Sequence, residues 1–214
     1  MTEKQEAKNS FTAEEQSHPG SLLPRISIDP VDVQEFDQFL VYLSDHLSDN
    51  GQEGAAYFQP QPQSESFLPP ASRDSFIAGL VVPVGQPGWR RLWVARNPEG
   101  QIVGHIDLRA RREPFSGHRC LLGMGVDRDH RRVGLGKRLL EHAQGWASAS
   151  ELLEWMDLQV LAVNQKAIRL YERMGFIKTG EITDMFRIDG QCFSHIDMTK
   201  NIGRLSAADA ERAD

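Results

Sequence analysis

The sequence predicts an α/β (α+β) domain built in the order strand, two helices, three strands, helix, strand, helix, two strands. Three observations predict it. Strand-forming stretches fold back about two hairpin signals, Asn97-Pro98-Glu99-Gly100 and Asp189-Gly190. A strand-like apolar run over residues 118–126 breaks into a glycine-bearing turn and then a helix, in which Leu135, Leu139, Leu140, Ala143 and Trp146 recur at the spacing of one helical face. A second apolar run, Leu158-Gln159-Val160-Leu161-Ala162-Val163, reads as a buried strand and passes directly into another helix at Asn164.

Taken in order, residues 1–24 are polar and acidic with little apolar period, the composition of a disordered tail. Arg25-Ile26-Ser27-Ile28 reads as the first strand. Asp29-Pro30 reads as a helix start, with Asp as cap and Pro in the first turn. Val33, Phe36, Phe39, Leu40, Leu43 and Leu47 supply that helix with an apolar face. Residues 48–71 form a long loop rich in Gln, Ser and Pro, and residues 72–80 a second helix. Strands follow at residues 92–95, 102–109 and 118–126, then the helix from Leu135 and the strand at residues 158–163. Asn164 is a good cap for the fourth helix, whose Ala167, Ile168, Tyr171 and Met174 share a face, and Gly175 suits the left-handed residue after its end. Strands at residues 185–188 and 192–198 close the pattern. Residues 203–214 read as a second tail, leaving residues 25–202 as one domain.

Composition narrows the function classes. The 214 residues, 40% hydrophobic and 25% charged, describe an ordinary globular chain without an apolar run long enough to span a bilayer. The N-terminal residues lack the cationic-then-apolar order of a secretory signal, so a cytoplasmic address is expected, without a membrane partner. Two cysteines, Cys120 and Cys192, provide neither a disulfide framework nor a zinc spacing, and no metal is expected. A net charge of −6 argues against a nucleic-acid partner and suits a cationic amine.

Against that acidic whole, residues 121–140 carry a local basic turn. Gly123 and Gly125 interrupt the strand, Asp127-Arg128-Asp129-His130 turns, and Arg131-Arg132-Val133-Gly134-Leu135-Gly136 opens the helix. A strand, a glycine turn and a helix start leave backbone N–H groups unpaired beside the positive end of the helix dipole, which is a phosphate-binding arrangement. Gly134 and Gly136 let main chain and ligand approach, while Arg131, Arg132, Lys137 and Arg138 add positive charge. Two common phosphate loops do not fit. Gly136-Lys137 matches the middle of the Walker pattern, but Arg131 holds its first glycine position and Arg138 replaces its hydroxyl. The dinucleotide pattern fails at its third glycine, where Leu139 or Arg128 stands.

What remains is Arg/Gln-x-x-Gly-x-Gly/Ala after a strand ending in valine, which resembles the acetyl-coenzyme A loop of the GNAT superfamily of N-acetyltransferases. The segment from Asn164 through Ala167, Leu170-Tyr171 and Gly175-Phe176 resembles a second stretch of the same superfamily. Together the resemblance covers roughly residues 90–199. It implies the GNAT fold, a mixed, mostly antiparallel seven-stranded sheet flanked by four helices with strands 4 and 5 splayed apart. It implies acetyl-CoA as co-substrate and an acyltransferase acting on a primary amine, either a small molecule or a protein or peptide. Dimers are frequent in the superfamily, so a homodimer is one state the resemblance allows. A coenzyme A-binding sensor on the same fold, without turnover, is the alternative.

The resemblance also assigns roles. The main chain of Arg131, Arg132, Val133, Gly134, Leu135, Gly136 and Lys137 would take the pyrophosphate, and backbone groups at Met124, Gly125 and Val126 the pantetheine arm and acetyl carbonyl. Gly123 and Gly125 fit a bulge at the splay. Tyr171 stands where many members protonate the departing thiolate, and Asn164 would cap its helix and touch the cofactor arm. The general base stays open: His105, Asp107, His118 or water, with Glu154 and Asp157 near the start of the fifth strand as further candidates. His105, Asp107 and Arg109 alternate on one strand face, and His118, Cys120 and Met124 share a parity on the next. Cys120 could carry an acyl group, although direct transfer in a ternary complex is simpler. Tyr57, Phe58, Phe67 and residues 185–195 would form the acceptor wall. Asp184 and Asp189 stand near it as turn residues or as attractors of a cationic amine.

Overall fold

A computed structural model describes residues 26–52 and 56–203. Both expected tails lie outside the described residues, apart from Gly203. The strands are β1 (Ser27–Pro30), β2 (Arg90–Arg96), β3 (Ile102–Ala110), β4 (Arg119–Val126), β5 (Trp155–Leu161), β6 (Ile177–Ile188) and β7 (Gln191–Asn201). The helices are α1 (Phe36–Ser48), α2 (Pro70–Val81), α3 (Leu135–Ala149) and α4 (Gln165–Arg173). All seven strands join one sheet in the order β1-β2-β3-β4-β5-β7-β6. Every pairing is antiparallel except β4 with β5, as the mixed architecture expected from the sequence requires.

Apolar side chains cover both faces of the sheet. One face packs Trp93, Ile106, Leu108, Cys120 and Leu122 beneath α3 and α4, through Leu135, Leu139, Leu140, Ile168 and Tyr171. The other packs Leu92 and Val94 beneath Phe36, Phe39, Leu43 and Leu47 of α1 and Phe76 of α2. Alternation along β2 sends Leu92 and Val94 one way, Trp93 and Ala95 the other, so this strand is buried on both sides. Gly104 admits α3 closely, because a Cβ there would stand 3.1 Å from Leu139 Cδ1 and 3.3 Å from Leu135 Cδ2.

β5 runs from Trp155 to Leu161, earlier than the expected residues 158–163, α2 starts at Pro70, and the larger departures are at β1 and β6. Asp29 and Pro30 belong to β1 and do not begin the helix. The Val31 N–H donates to the Leu92 carbonyl at 2.9 Å, so alternation turns Pro30 outward on this edge strand, where its missing N–H costs no ladder bond. The helical turn starts three residues later, where Asp32 accepts from the Gln34 N–H at 3.1 Å and a short 3-10 turn (Val33–Glu35) leads into α1. β6 begins at Ile177, well before the expected residue 185. It is the opposite edge of the sheet and almost wholly exposed, so it carries no alternating apolar pattern to read. The Asp189-Gly190 turn is present, with both residues at positive φ, 48° and 77°, as a tight hairpin turn demands.

Candidate active site

Strands β4 and β5 pair only from Arg119 to Leu121 against Trp155 to Asp157, and beyond that they part. β4 meanwhile stays in register with β3 along its whole length, Ala110 opposite Cys120 through Gly104 opposite Val126. The splay is therefore real, but the expected bulge at Gly123 and Gly125 is absent. These glycines serve a different need. A Cβ on Gly123 would collide with the Asp107 carboxylate, and one on Gly125 would stand 2.5 Å from both His105 Cε1 and His46 Nε2.

Which main-chain groups face the open split follows from alternation. The Asp127 N–H donates to Val103 of β3 at 3.0 Å, so Asp127, Gly125 and Gly123 point their N–H and C=O towards β3. Met124 and Val126 point theirs into the split. The Val126 carbonyl is already used there, accepting from Arg131 Nε at 3.0 Å.

The turn after β4 is built by Asp127, whose carboxylate accepts from the Asp129 N–H at 3.0 Å and contacts His130 Nδ1 at 2.9 Å. Arg132 and Gly134 both take positive φ, 68° and 83°, and Gly134 is the N-cap of α3. Among the described residues, no protein acceptor takes the backbone N–H groups of residues 131–137. These donors lie at the start of α3, where its dipole is positive, beside the mouth of the split. A Cβ on Gly134 would meet nothing within 4 Å, whereas one on Gly136 would press on Leu170 Cδ2 at 3.0 Å. Gly134 thus supplies a conformation and an open concavity; Gly136 supplies close packing of α3 on α4. The basic side chains are less available than their number suggests. Arg131 donates to Asp49, Arg138 to the Ile26 carbonyl at 2.6 Å, and Lys137 pairs with Glu141 at 3.1 Å. The main-chain donors, more than the side-chain charges, are what this turn leaves unpaired.

Asn164 caps α4, its side chain accepting from the Ala167 N–H at 3.3 Å. Gly175 takes the expected left-handed conformation at φ 85°. Tyr171 is 8% exposed, its ring against Phe176 at 5.8 Å, and burial pushes its phenol up to about 12. No described residue hydrogen-bonds its hydroxyl, which leaves the proton free for a ligand.

The candidate bases separate clearly. His118 is exposed just before β4, at the end remote from Val126. Asp107 is buried and paired, accepting from Arg109 at 3.0 Å with Arg90 at 3.6 Å. Asp157 accepts from Arg119, Arg111 and Thr199 at 2.5 to 3.0 Å. Burial opposes its charge, but those partners outweigh it and hold the carboxyl below its ordinary value. It pins the closed end of the β4–β5 pair. Glu154 starts that same end through main-chain bonds and lies equally far away. His105 alone of this set lies beside Gly125, its Nδ1 3.2 Å from the Tyr42 hydroxyl, and burial holds it neutral. Cys120 and Met124 share a face as expected, the α3–α4 side of the sheet, which is opposite to the side His105 presents to α1. Cys120 is fully buried with its thiol pushed up to about 12, unfit as a nucleophile.

Four residues with no local signature complete the region. His46 and Tyr42 of α1 stack at 5.9 Å, and His46 is pressed edge-on against His105 at 5.7 Å. Burial, then the Arg131 charge, lowers His46 to about 4. Asp49 and Asn50, directly after α1, are almost completely buried. Asn50 holds residues 58–66 of the loop, and Tyr57 reaches the last hairpin, where its hydroxyl donates to Asp189 at 2.8 Å and its ring meets Phe193 at 5.0 Å. Phe58 packs on His46 at 4.9 Å, which sets this part of the loop against α1. Phe67 is more than half exposed and adds nothing to that contact. Asp189 sits in the hairpin turn at φ 48°, whereas Asp184, at φ 50°, lies within β6 at the register shift between Ile182 and Phe186 and is not a turn residue.

Known proteins agree with this geometry. The family model for "Acetyltransferase (GNAT) family" matches residues 54–176, more than half of the chain. The N-terminal acetyltransferase A complex catalytic subunit NAA10 of Arabidopsis thaliana is 30% identical over 112 residues, 52% of this chain and 57% of that protein. The chain thus spans little more than half the length of that curated relative. The uncharacterized N-acetyltransferase YycN of Bacillus subtilis is 27% identical over 72% of this chain and 94% of its own. Among solved structures, a GNAT superfamily phosphinothricin acetyltransferase from Sinorhizobium meliloti, in complex with AcCoA, superposes with a TM-score of 0.66 at 14% identity, over 83% of this chain and 89% of that one. On its sequence and its sheet, split between β4 and β5, this chain belongs to the GNAT family, whose members are acetyl-CoA-dependent acyltransferases.

Proposed function

We propose that this protein moves an acetyl group from acetyl-CoA to a primary amine in a single ternary complex. One observation carries the reading: the unpaired main-chain donors of residues 131–137 open onto the β4–β5 split, and α4, packed on α3 through Leu170 and Gly136, carries a buried tyrosine whose hydroxyl is unclaimed. Donors at a helix start, open space over Gly134 and a slot between strands fit a diphosphate followed by a narrow amide-bearing arm. When bound, acetyl-CoA supplies the activated acyl group.

In this reading the N–H groups of Arg131, Arg132, Val133, Gly134, Leu135, Gly136 and Lys137 hold the diphosphate. The N–H groups of Met124 and Val126 pair with the arm, and one of them polarises the acetyl carbonyl. Gly125 gives the acceptor side its clearance, and Asn164 fixes α4. Tyr171 holds a proton at its phenolic oxygen for the departing thiolate; its raised value keeps that proton in place throughout the neutral range. His105 is proposed to accept the amine proton through water, being the candidate both uncharged and beside Gly125. The acceptor enters from the side of α1, the ordered loop and the hairpin. NAA10 and YycN, by their printed names, support an amine acceptor without selecting between a peptide N-terminus and a small molecule.

Residues 25–202 form the catalytic domain in this proposal, since the last strand ends at Asn201 and Ile202 N–H is held by the Glu154 carbonyl at 2.8 Å. The exposed free thiol of Cys192 supports a reducing, cytoplasmic setting. A panel of amines and peptides, assayed with acetyl-CoA for released thiol, tests the activity. Amine-dependent release is expected. Tight coenzyme A binding with no release across the panel would instead favour a sensor.

A further inference from the structure

Asp49 and Asn50 are neighbours at the end of α1, 3% and 0% exposed, and their side chains engage two different regions. Asp49 Oδ2 accepts from Arg131 Nη2 at 2.9 Å and from Arg128 Nε at 3.2 Å. Its Oδ1 lies 2.9 Å from Arg128 Nη2, a charge contact without the alignment of a hydrogen bond. Arg131 in turn contributes the first main-chain donor of the diphosphate cradle, and its Nε closes on Val126 at the end of β4. Asn50 points the other way. Its Oδ1 accepts from the Phe58 and Gln59 N–H groups at 2.8 and 2.9 Å. Its Nδ2 reaches the Gln61 carbonyl at 2.9 Å, the Ser66 hydroxyl at 2.8 Å and the Gln59 carbonyl at 3.2 Å.

We propose that Asp49 and Asn50 act as a clasp coupling the diphosphate cradle to the acceptor-side loop, both being positioning residues for acetyl transfer. The inference rests on reading residues 131–137 as the coenzyme A cradle. A buried carboxylate is tolerable only while its cations stay in place, so Asp49 must follow Arg131 and Arg128. Asn50 satisfies both ends of its amide on the loop, so the loop must follow Asn50. A single peptide link separates the two, which leaves little slack between them. An anion seated on the main chain of Arg131 fixes that residue, and through the clasp fixes the amides of Phe58 and Gln59. Phe58 also packs on His46, which abuts Gly125, so the restrained loop bears directly on the acceptor side. By linkage the effect runs both ways: a loosened loop weakens coenzyme A binding.

Amide hydrogen exchange on the full chain, with coenzyme A as the probe and occupancy fixed by calorimetry, tests this. Coenzyme A should slow exchange at Phe58 and Gln59 by about tenfold in the unaltered protein. Asp49→Asn, saturated with coenzyme A, should lose that slowing while retaining protection at residues 131–137, and Asp49→Glu should restore part of it. A purely structural role for Asp49 would lower protection equally with and without coenzyme A. Slowing at Phe58 and Gln59 that persists in saturated Asp49→Asn overturns the clasp, as does saturable binding to the unaltered protein with no change there. Absence of coenzyme A binding overturns the cradle reading and the clasp with it.

Discussion

The two sides of the β4–β5 split are built by different means. On the proposed cofactor side the groups are main-chain N–H donors of one continuous segment, held out by positive φ at Arg132 and Gly134. On the proposed acceptor side they are side chains gathered from α1, residues 56–68 of the loop, β3 and the β6–β7 hairpin. A main-chain site needs particular residues at fixed short spacings, because glycine positions and a helix start are local requirements. A side-chain site needs only that remote residues meet, and each can be reached by many sequences. The first kind is rigid by conformation; the second is rigid by hydrogen bonding and packing.

That contrast can be broken by substitution, and the largest effect belongs to the main-chain side. Gly134→Asp places a side chain at φ 83° in open space over the cradle, with a negative charge. Coenzyme A affinity, measured by calorimetry, should fall by more than about 100-fold, while the strain at positive φ lowers the melting temperature by only about 2 to 4 °C. If affinity survives, the diphosphate does not sit there. Asn50→Ala attacks the other side. Loss of a fully buried amide that serves five loop groups should cost about 2 to 4 kcal/mol in denaturant unfolding, with protease cuts appearing first within residues 56–68. An unchanged midpoint would mean the loop is held by packing alone.

His46 sharpens the comparison through pH. Its folded value is lowered from 6.5 to about 4, so the unfolded chain binds the extra proton in that interval. Stability is therefore complete above about 6.5 and declines as pH falls towards 4, by a contribution on the order of 3 kcal/mol. His46→Gln should flatten that decline in thermal melts, and an equally steep curve would assign it to other groups. Tyr171→Phe should leave coenzyme A affinity intact and lower turnover about tenfold or more. Because burial raises the phenol to about 12, the unaltered enzyme should show no Tyr171-dependent loss of rate up to pH 10. The smallest effect is expected at Lys137→Ala, whose exposed pair with Glu141 should change stability by less than about 0.5 kcal/mol.

Legibility in the sequence follows the same division. Gly134, Gly136, Asn164, Tyr171 and Gly175 are visible as a pattern, and the structure puts each in the conformation or on the element expected. The α1 face, the two hairpins and the splay were legible from apolar period, turn residues and family resemblance. Asp49 and Asn50 were not, since two polar residues after a helix look like any loop entry until their partners across the fold are known. His46 reads as one residue of an amphipathic helix and gains meaning only against Gly125 and His105. The exposed start of β6 left no alternation to detect. The proposed bulge at Gly123 and Gly125 went astray because close approach of Asp107 and His46 demands glycine just as a bulge does.

The account stands most directly on the amide resonances of residues 131–137 during titration with coenzyme A. It predicts saturable binding in which the largest shifts fall on these seven N–H groups, with Met124 and Val126 next. Saturable binding whose shifts lie elsewhere, with residues 131–137 unmoved, would contradict it.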